Sequence, residues 1–147
     1  MRHVLSFQGS VEASTRVTLV SARIGFPYQI KHFRVKCALG QFGLVRYYFI
    51  VSQDDSAPTG GLPSGQNILA QYGNVDYVVG DDDVLDMDDQ TFVARMPTWV
   101  KVHAYNTDTY PHTVNVLVTI EDFRTHPDDQ LMRELIGEEY TAGNKNA

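Results

Sequence analysis

The 147-residue chain has the size of one ordinary domain, and at 43% hydrophobic residues it can bury a core without disulfide or metal staples. Its net charge of −6 argues against a general nucleic-acid binder, which needs clustered Lys and Arg. No apolar run approaches the ~20 residues of a membrane span. The opening Met1–Ser6 also lacks a signal peptide's apolar stretch and small-residue cleavage site, so the chain is expected to have no membrane partner and to be made in the cytoplasm.

Charge is unevenly spread. Residues 1–48 hold seven basic residues and one acid, a net of +6. Residues 49–147 hold five basic and seventeen acidic residues, a net of −12. Two readings follow: the halves pair within the fold, or the molecule has two poles that attract unlike faces of its neighbours. The single cysteine, Cys37, has no internal disulfide partner and sits in an alternating stretch, where it reads as a small buried apolar group.

Period-2 alternation dominates the chain. The N-terminus enters strand-like sequence at once, and Val17 and Leu19 mark a strand near 15–24. From Phe33, the residues Phe33, Val35, Cys37 and Leu39 share one parity, with Arg34 and Lys36 on the other: a half-buried strand with a basic outer face. Over 43–52, Val45, Tyr47, Phe49 and Val51 occupy one face and Leu44, Arg46, Tyr48 and Ile50 the other. That strand is apolar on both sides, as a central or covered strand is. A Gly-, Pro- and Ser-rich stretch at 54–65 reads as a long loop. Strands are predicted at 67–72 and 75–79, punctuated by Gly73-Asn74, followed by an acidic loop over 81–89. Further strands are predicted at 91–96, ended by Pro97, and at 99–105. The last strand places Val114, Val116, Val118 and Ile120 on one face, with Leu117 an exception on the other.

About eight antiparallel strands over 1–124 predict an all-β, two-sheet, jelly-roll-like sandwich; an immunoglobulin-like sandwich is the runner-up but lacks its paired cysteines. Residues 125–147 form a second unit. Thr125-His126-Pro127-Asp128 is an N-cap signature, Leu131, Met132, Leu135 and Ile136 make a stripe at helical spacing, and Gly137 is a stop. The prediction is a short amphipathic helix whose stripe contacts its own sandwich or an oligomer partner, followed by a flexible tail.

No catalytic constellation is legible. Ser64 lies in Pro-Ser-Gly turn chemistry, and the glycine-rich loop lacks the Gly-Lys-Ser/Thr ending of a phosphate loop. A metal-binding His-x-His pair is absent, although His103 and His112 approach each other if the last two strands form a hairpin. The expectation is no cofactor. The acidic stretch is the exception to weigh: Asp81, Asp83, Asp86 and Asp88 are calcium candidates, since calcium takes carboxylate oxygens. Against that, Leu85 stands where an EF-hand loop wants a third ligand. A solvated loop guarding a sheet edge, or a surface for a basic partner, explains the acids as well. Tyr47, Tyr48, Phe49, Tyr72, Tyr77, Trp99 and Tyr105 allow a sugar-stacking platform, or plain core packing.

In layout (a strand-bearing start, about eight strands, the Val114–Ile120 strand and a 125–147 tail) the chain resembles the small jelly-roll structural proteins of viruses, in particular phage capsid decoration and minor capsid proteins. That resemblance implies a non-enzymatic virion component, a trimer or other homo-oligomer binding capsid protein or other virion proteins through symmetric contacts. The alternative is a carbohydrate- or cell-surface-binding module, calcium-dependent if the acidic stretch holds a cation.

Overall fold

The computed structural model describes residues 2–72 and 76–122, and within them nearly all regular structure is strand. The strands are β1 (Arg2–Val11), β2 (Arg16–Val20), β3 (Tyr28–Cys37), β4 (Val45–Ser52), β5 (Gln66–Asn67), β6 (Asp83–Asp88), β7 (Phe92–Val93), β8 (Trp99–Asn106) and β9 (His112–Asp122). A single 3₁₀ turn occupies Leu69–Tyr72. Sheet A runs β1-β9-β3-β6, with the short β7 beside β3; sheet B runs β2-β8-β4-β5. All pairs are antiparallel. With β7 set aside, the remaining eight strands fall in the orders 1-8-3-6 and 2-7-4-5. Successive strands at each end of the chain alternate between sheets, which is the two-Greek-key order of a jelly roll. The immunoglobulin-like alternative has a different strand order and is set aside.

The core lies between the sheets and is built by parity. Val114, Val116, Val118 and Ile120 on β9 face Val45, Tyr47, Phe49 and Val51 on β4 and Val100, Val102 and Ala104 on β8, all buried. Phe33 of sheet A and Phe49 of sheet B meet with ring centroids 4.4 Å apart. Each such side chain contributes on the order of 1.5–3 kcal/mol by leaving water. Cys37 is buried in this core, and burial pushes its thiol up to about 11.

Several predicted elements shift. The strand predicted from Phe33 begins at Tyr28: a bulge between Ile30 and His32 switches the inward parity from even to odd residues, so one strand reads as two patterns. It ends at Cys37, leaving Leu39 exposed in the following loop. The predicted 67–72 strand is instead the end of β5 and the 3₁₀ turn. Of 75–79, Val78 makes one bridge to Tyr47 at the free edge of β4. The acidic loop predicted over 81–89 is mostly strand β6, paired with β3 from Asp83↔Cys37 to Asp88↔His32. The predicted helix with Leu131, Met132, Leu135 and Ile136 lies outside the described residues.

Candidate interaction surfaces

The acidic strand β6 lies on an edge of sheet A, and its Asp side chains divide between roles. Asp86 accepts from Arg34 Nε at 2.8 Å and from His32 Nε2 at 2.8 Å, while His32 Nδ1 reaches Asp88 at 2.9 Å. A histidine facing a carboxylate through each ring nitrogen must carry both protons to satisfy them. Asp86 first, then Asp88, therefore raise the His32 pKa. Arg34, then His32, hold Asp86 below the usual carboxylate range. Asp81 accepts the Gly40 amide, and Asp83 accepts its neighbour's amide at Val84. Asp86 and Asp88 share one face of the strand with Val84, and Asp83 has the opposite parity. The four calcium candidates thus do not converge on one point, and among the described residues no three His, Cys, Asp or Glu side chains form a metal-binding group.

These contacts also resolve the uneven charge. Arg2–Glu121, His3–Asp122, His32–Asp86, His32–Asp88 and Arg34–Asp86 each join the basic first third of the chain to its acidic remainder. On sheet A the halves pair within the fold.

Sheet B has a second polar layer that the sequence did not reveal. Residues 53–65 fold back over its outer face as a roof. Beneath it Thr18, Ile50, Lys101 and His103 are buried although they point away from the core, and Tyr48 on the same face is covered by Tyr77. Lys101 is fully buried and its Nζ donates to Asp54 Oδ1 at 2.8 Å. Lys101, with Ser56 and Ser64, holds the Asp54 carboxyl far below its usual range. Arg16 Nη1 lies 3.2 Å from His103 Nε2, His103 Nδ1 lies 2.7 Å from Thr18 Oγ1, and Thr18 Oγ1 donates to the Pro58 carbonyl at 2.7 Å. The chain of bonds closes only with a neutral His103 protonated at Nδ1. Burial, and secondarily the Arg16 charge, push the His103 pKa down to about 4. The roof closes onto β4 at Gly65, whose φ is +131° and where a Cβ would lie 2.5 Å from the Val51 carbonyl oxygen. Only glycine allows that approach.

His103 and His112 are not brought together. Their strands belong to different sheets, and His112 pairs with Asp108 at 2.8 Å instead. Among the described residues the aromatics divide between the core and an outer cluster in which the Arg46 guanidinium lies over both Tyr77 and Tyr105. Tyr47 and Phe49 are core, Tyr48 packs on Tyr77 at 5.5 Å, and Tyr105 carries the Arg16 guanidinium 4.0 Å above its ring.

The two ends of the sandwich differ. At one end the loops 38–44, 79–82 and 107–111 are stitched together: Gly43 N donates to Gly80 O, Asp82 N to Ala38 O and Thr107 N to Leu44 O. The fully buried Gln41 anchors this end, donating to the Thr113 carbonyl and accepting from Tyr47 Oη. Next to it, Phe42 has φ +51° and is 71% exposed, with Leu39 at 75% and Tyr110 at 69%. At the other end a cleft of about 170 Å³ opens between β7 of sheet A and the β4–β5 edge of sheet B, with Val51 and Val93 in its lining and Ala94, Arg95, Gln53 and Gln66 around them.

No protein-family model matches the chain, and no curated protein matches it. Solved structures with a similar outline include the VP2 subviral particle of infectious bursal disease virus, at 9% identity and TM-score 0.49, covering 86% of this chain and 34% of that one. The Gx strain of the same virus gives 11% identity and TM-score 0.47, covering 86% and 33%. The Yersinia pseudotuberculosis-derived mitogen gives 9% identity and TM-score 0.32, covering 87% and 92%. The chain spans about a third of the length of the viral chains it matches. At these identities the likeness concerns fold outline alone, and the jelly-roll assignment rests on the strand order.

Proposed function

We propose that the chain is a non-enzymatic structural protein that works by assembling with other protein subunits. The observation that carries this reading is the outward display of large apolar side chains on pinned loops: Leu39 and Phe42 on loop 38–44 and Tyr110 on loop 107–111 stand in solvent while Gln41, beside Phe42, is locked into the fold. Exposing such side chains is unfavourable unless a partner covers them. Three histidines and the buried lysine point the same way, since Lys101, His32, His103 and His112 are each engaged in bonds that hold strands or loops together. The specific form we favour, on the layout resemblance given above, is a virion component such as a capsid decoration or minor capsid protein, forming a homo-oligomer and binding other virion proteins.

The test is the mass of the full chain in solution by sedimentation velocity from low to high micromolar concentration, together with co-sedimentation on particles of the source virus. Concentration-dependent assembly or particle binding is the expected result. A chain that stays monomeric throughout and sediments with no particle overturns the proposal.

A further inference from the structure

The apolar tip and the cleft lie at opposite ends of the sandwich. β3 and β6 show the polarity: Cys37 and Asp83 abut the tip loops, whereas Tyr28 and Asp88 lie at the end that carries β7 and the cleft. The tip offers Phe42, a single ring on a backbone held by the Gln41 bonds, with Leu39 on the same loop. The cleft, at about 170 Å³, is open to solvent, has room for one aromatic ring, and is lined by polar as well as apolar groups. Phe92, with the more buried Val51 and Val93, supplies its apolar lining, and Gln53 and Gln66 its polar rim.

Charge completes the match. Loop 38–44 is bonded to Asp81 and Asp82, so carboxylates flank the tip. Asp81 accepts the Gly40 amide, and the Asp82 side chain has no partner among the described residues. At the cleft, Arg95 lines the wall without an ion pair among the described residues. Arg23 sits beside Ile24, which bridges to the cleft residue Thr98. Asp54, on the roof nearby, is taken by Lys101, and Asp55 follows it.

Resting on the assembly reading, we infer that the tip of one copy, Phe42 with its flanking Asp82, seats in the Val51–Val93–Arg95 cleft of a second copy. Such a contact is heterologous: each molecule offers two different surfaces, and copies add head to tail into a ring or a series, not a two-fold dimer. Part of its strength is electrostatic, so it weakens with salt.

The experiment uses sedimentation velocity on the full chain. Phe42→Asp removes the ring and suits the left-handed backbone there; Ala94→Trp fills the cleft from an exposed position. Each variant alone should associate at least tenfold more weakly than the wild type while keeping its thermal melt. Mixed together they should form a 1:1 dimer that grows no further, because one live tip meets one live cleft and the remaining pair is dead. Arg95→Glu should weaken association, and Asp82→Lys in the mixing partner should restore it. A wild type that assembles equally well with Phe42→Asp and Ala94→Trp in place overturns the inference while leaving the assembly reading intact. So does a mixture of the two variants that stays monomeric. If Leu131→Asp with Leu135→Asp abolishes assembly and Phe42→Asp does not, the stripe and not the tip is the occupant, and the inference is again overturned. A wild type that never assembles and binds no particle removes the assembly reading itself.

Discussion

On sheet A the outward side chains of β3 and β9, such as Arg34, Lys36, Leu117 and Thr119, are exposed or half-buried. On sheet B their counterparts Lys101, His103 and Ile50 lie beneath the roof of residues 53–65, and Tyr48 beneath Tyr77. The same two-residue rhythm therefore serves two purposes. On the open face it separates a core side from a water side. On the roofed face it separates one interior from another, and polar groups there must find protein partners because water cannot reach them. They do so completely, since no buried side-chain nitrogen or oxygen among the described residues lacks a partner.

The largest effect should come from prising the roof off. Gly65→Ala forces a Cβ to within 2.5 Å of the Val51 carbonyl oxygen at a φ of +131°. We expect a loss of about 4 kcal/mol from strain and clash together. Gly60→Ala, on the same roof with nothing within 4 Å of its Cβ, should stay within about 0.5 kcal/mol of wild type. Urea unfolding of the pair checks this, and equal costs would mean that the roof is not seated on β4.

A matched substitution sharpens the contrast between faces. Ile50→Asn places an amide under the roof at a position 2% exposed and should cost roughly 3 kcal/mol. Leu117→Asn, half-buried on the open face, should cost under about 1 kcal/mol. Comparable losses in denaturant midpoint would show that the open face is covered as well.

The fold was legible where alternation is clean. β9 reads directly, because Val114, Val116, Val118 and Ile120 alternate with residues that are polar except for Leu117, and one side meets water. β4 announced its covered second face through Tyr48 and Ile50, but not what covers it; a roof of Pro, Gly and Ser carries no apolar signal. The first half of β3 was hidden because the bulge at Lys31 reverses parity, and a pattern search takes a reversal for a strand end. β6 was missed for a different reason. Its carboxylates look solvated along the chain, and the groups that neutralise them, His32 and Arg34, lie more than fifty residues away. The Phe42 tip was equally silent, since its meaning depends on Gln41 being tied to Thr113 and Tyr47.

Acid should test the roofed side. His103 is neutral in the fold with its pKa near 4 against an ordinary 6.5, so the unfolded chain takes up a proton that the folded one refuses. Its contribution is fully present above pH 6.5 and is lost as pH falls towards 4, by about 3 kcal/mol. The difference in unfolding free energy between wild type and His103→Gln should shrink by that amount between pH 7 and pH 4. A difference independent of pH would place the imidazole in water.

The open side should respond to pH with the opposite sign and more weakly. The His32 pKa is raised by Asp86 and Asp88, so its contribution is fully present below pH 6.5 and lost as pH rises through the folded value. The surrounding charges are Arg34 on the same strand, Lys31 at the bulge, Arg2 at the start of β1, and Asp86, Asp88 and Asp89. Because Arg34 still holds the Asp86 carboxylate between pH 6 and pH 8, β6 should loosen rather than detach. Side chains partly open to water bind weakly. Amide exchange along β6, corrected for intrinsic rate, should therefore speed up by less than about tenfold from pH 6 to pH 8. The amides of β9, two strands away from that edge, should not change. Replacing His32 with Gln should flatten the β6 response. If β6 instead grew more protected with rising pH, the imidazole would not be the group that clips the acidic edge to β3.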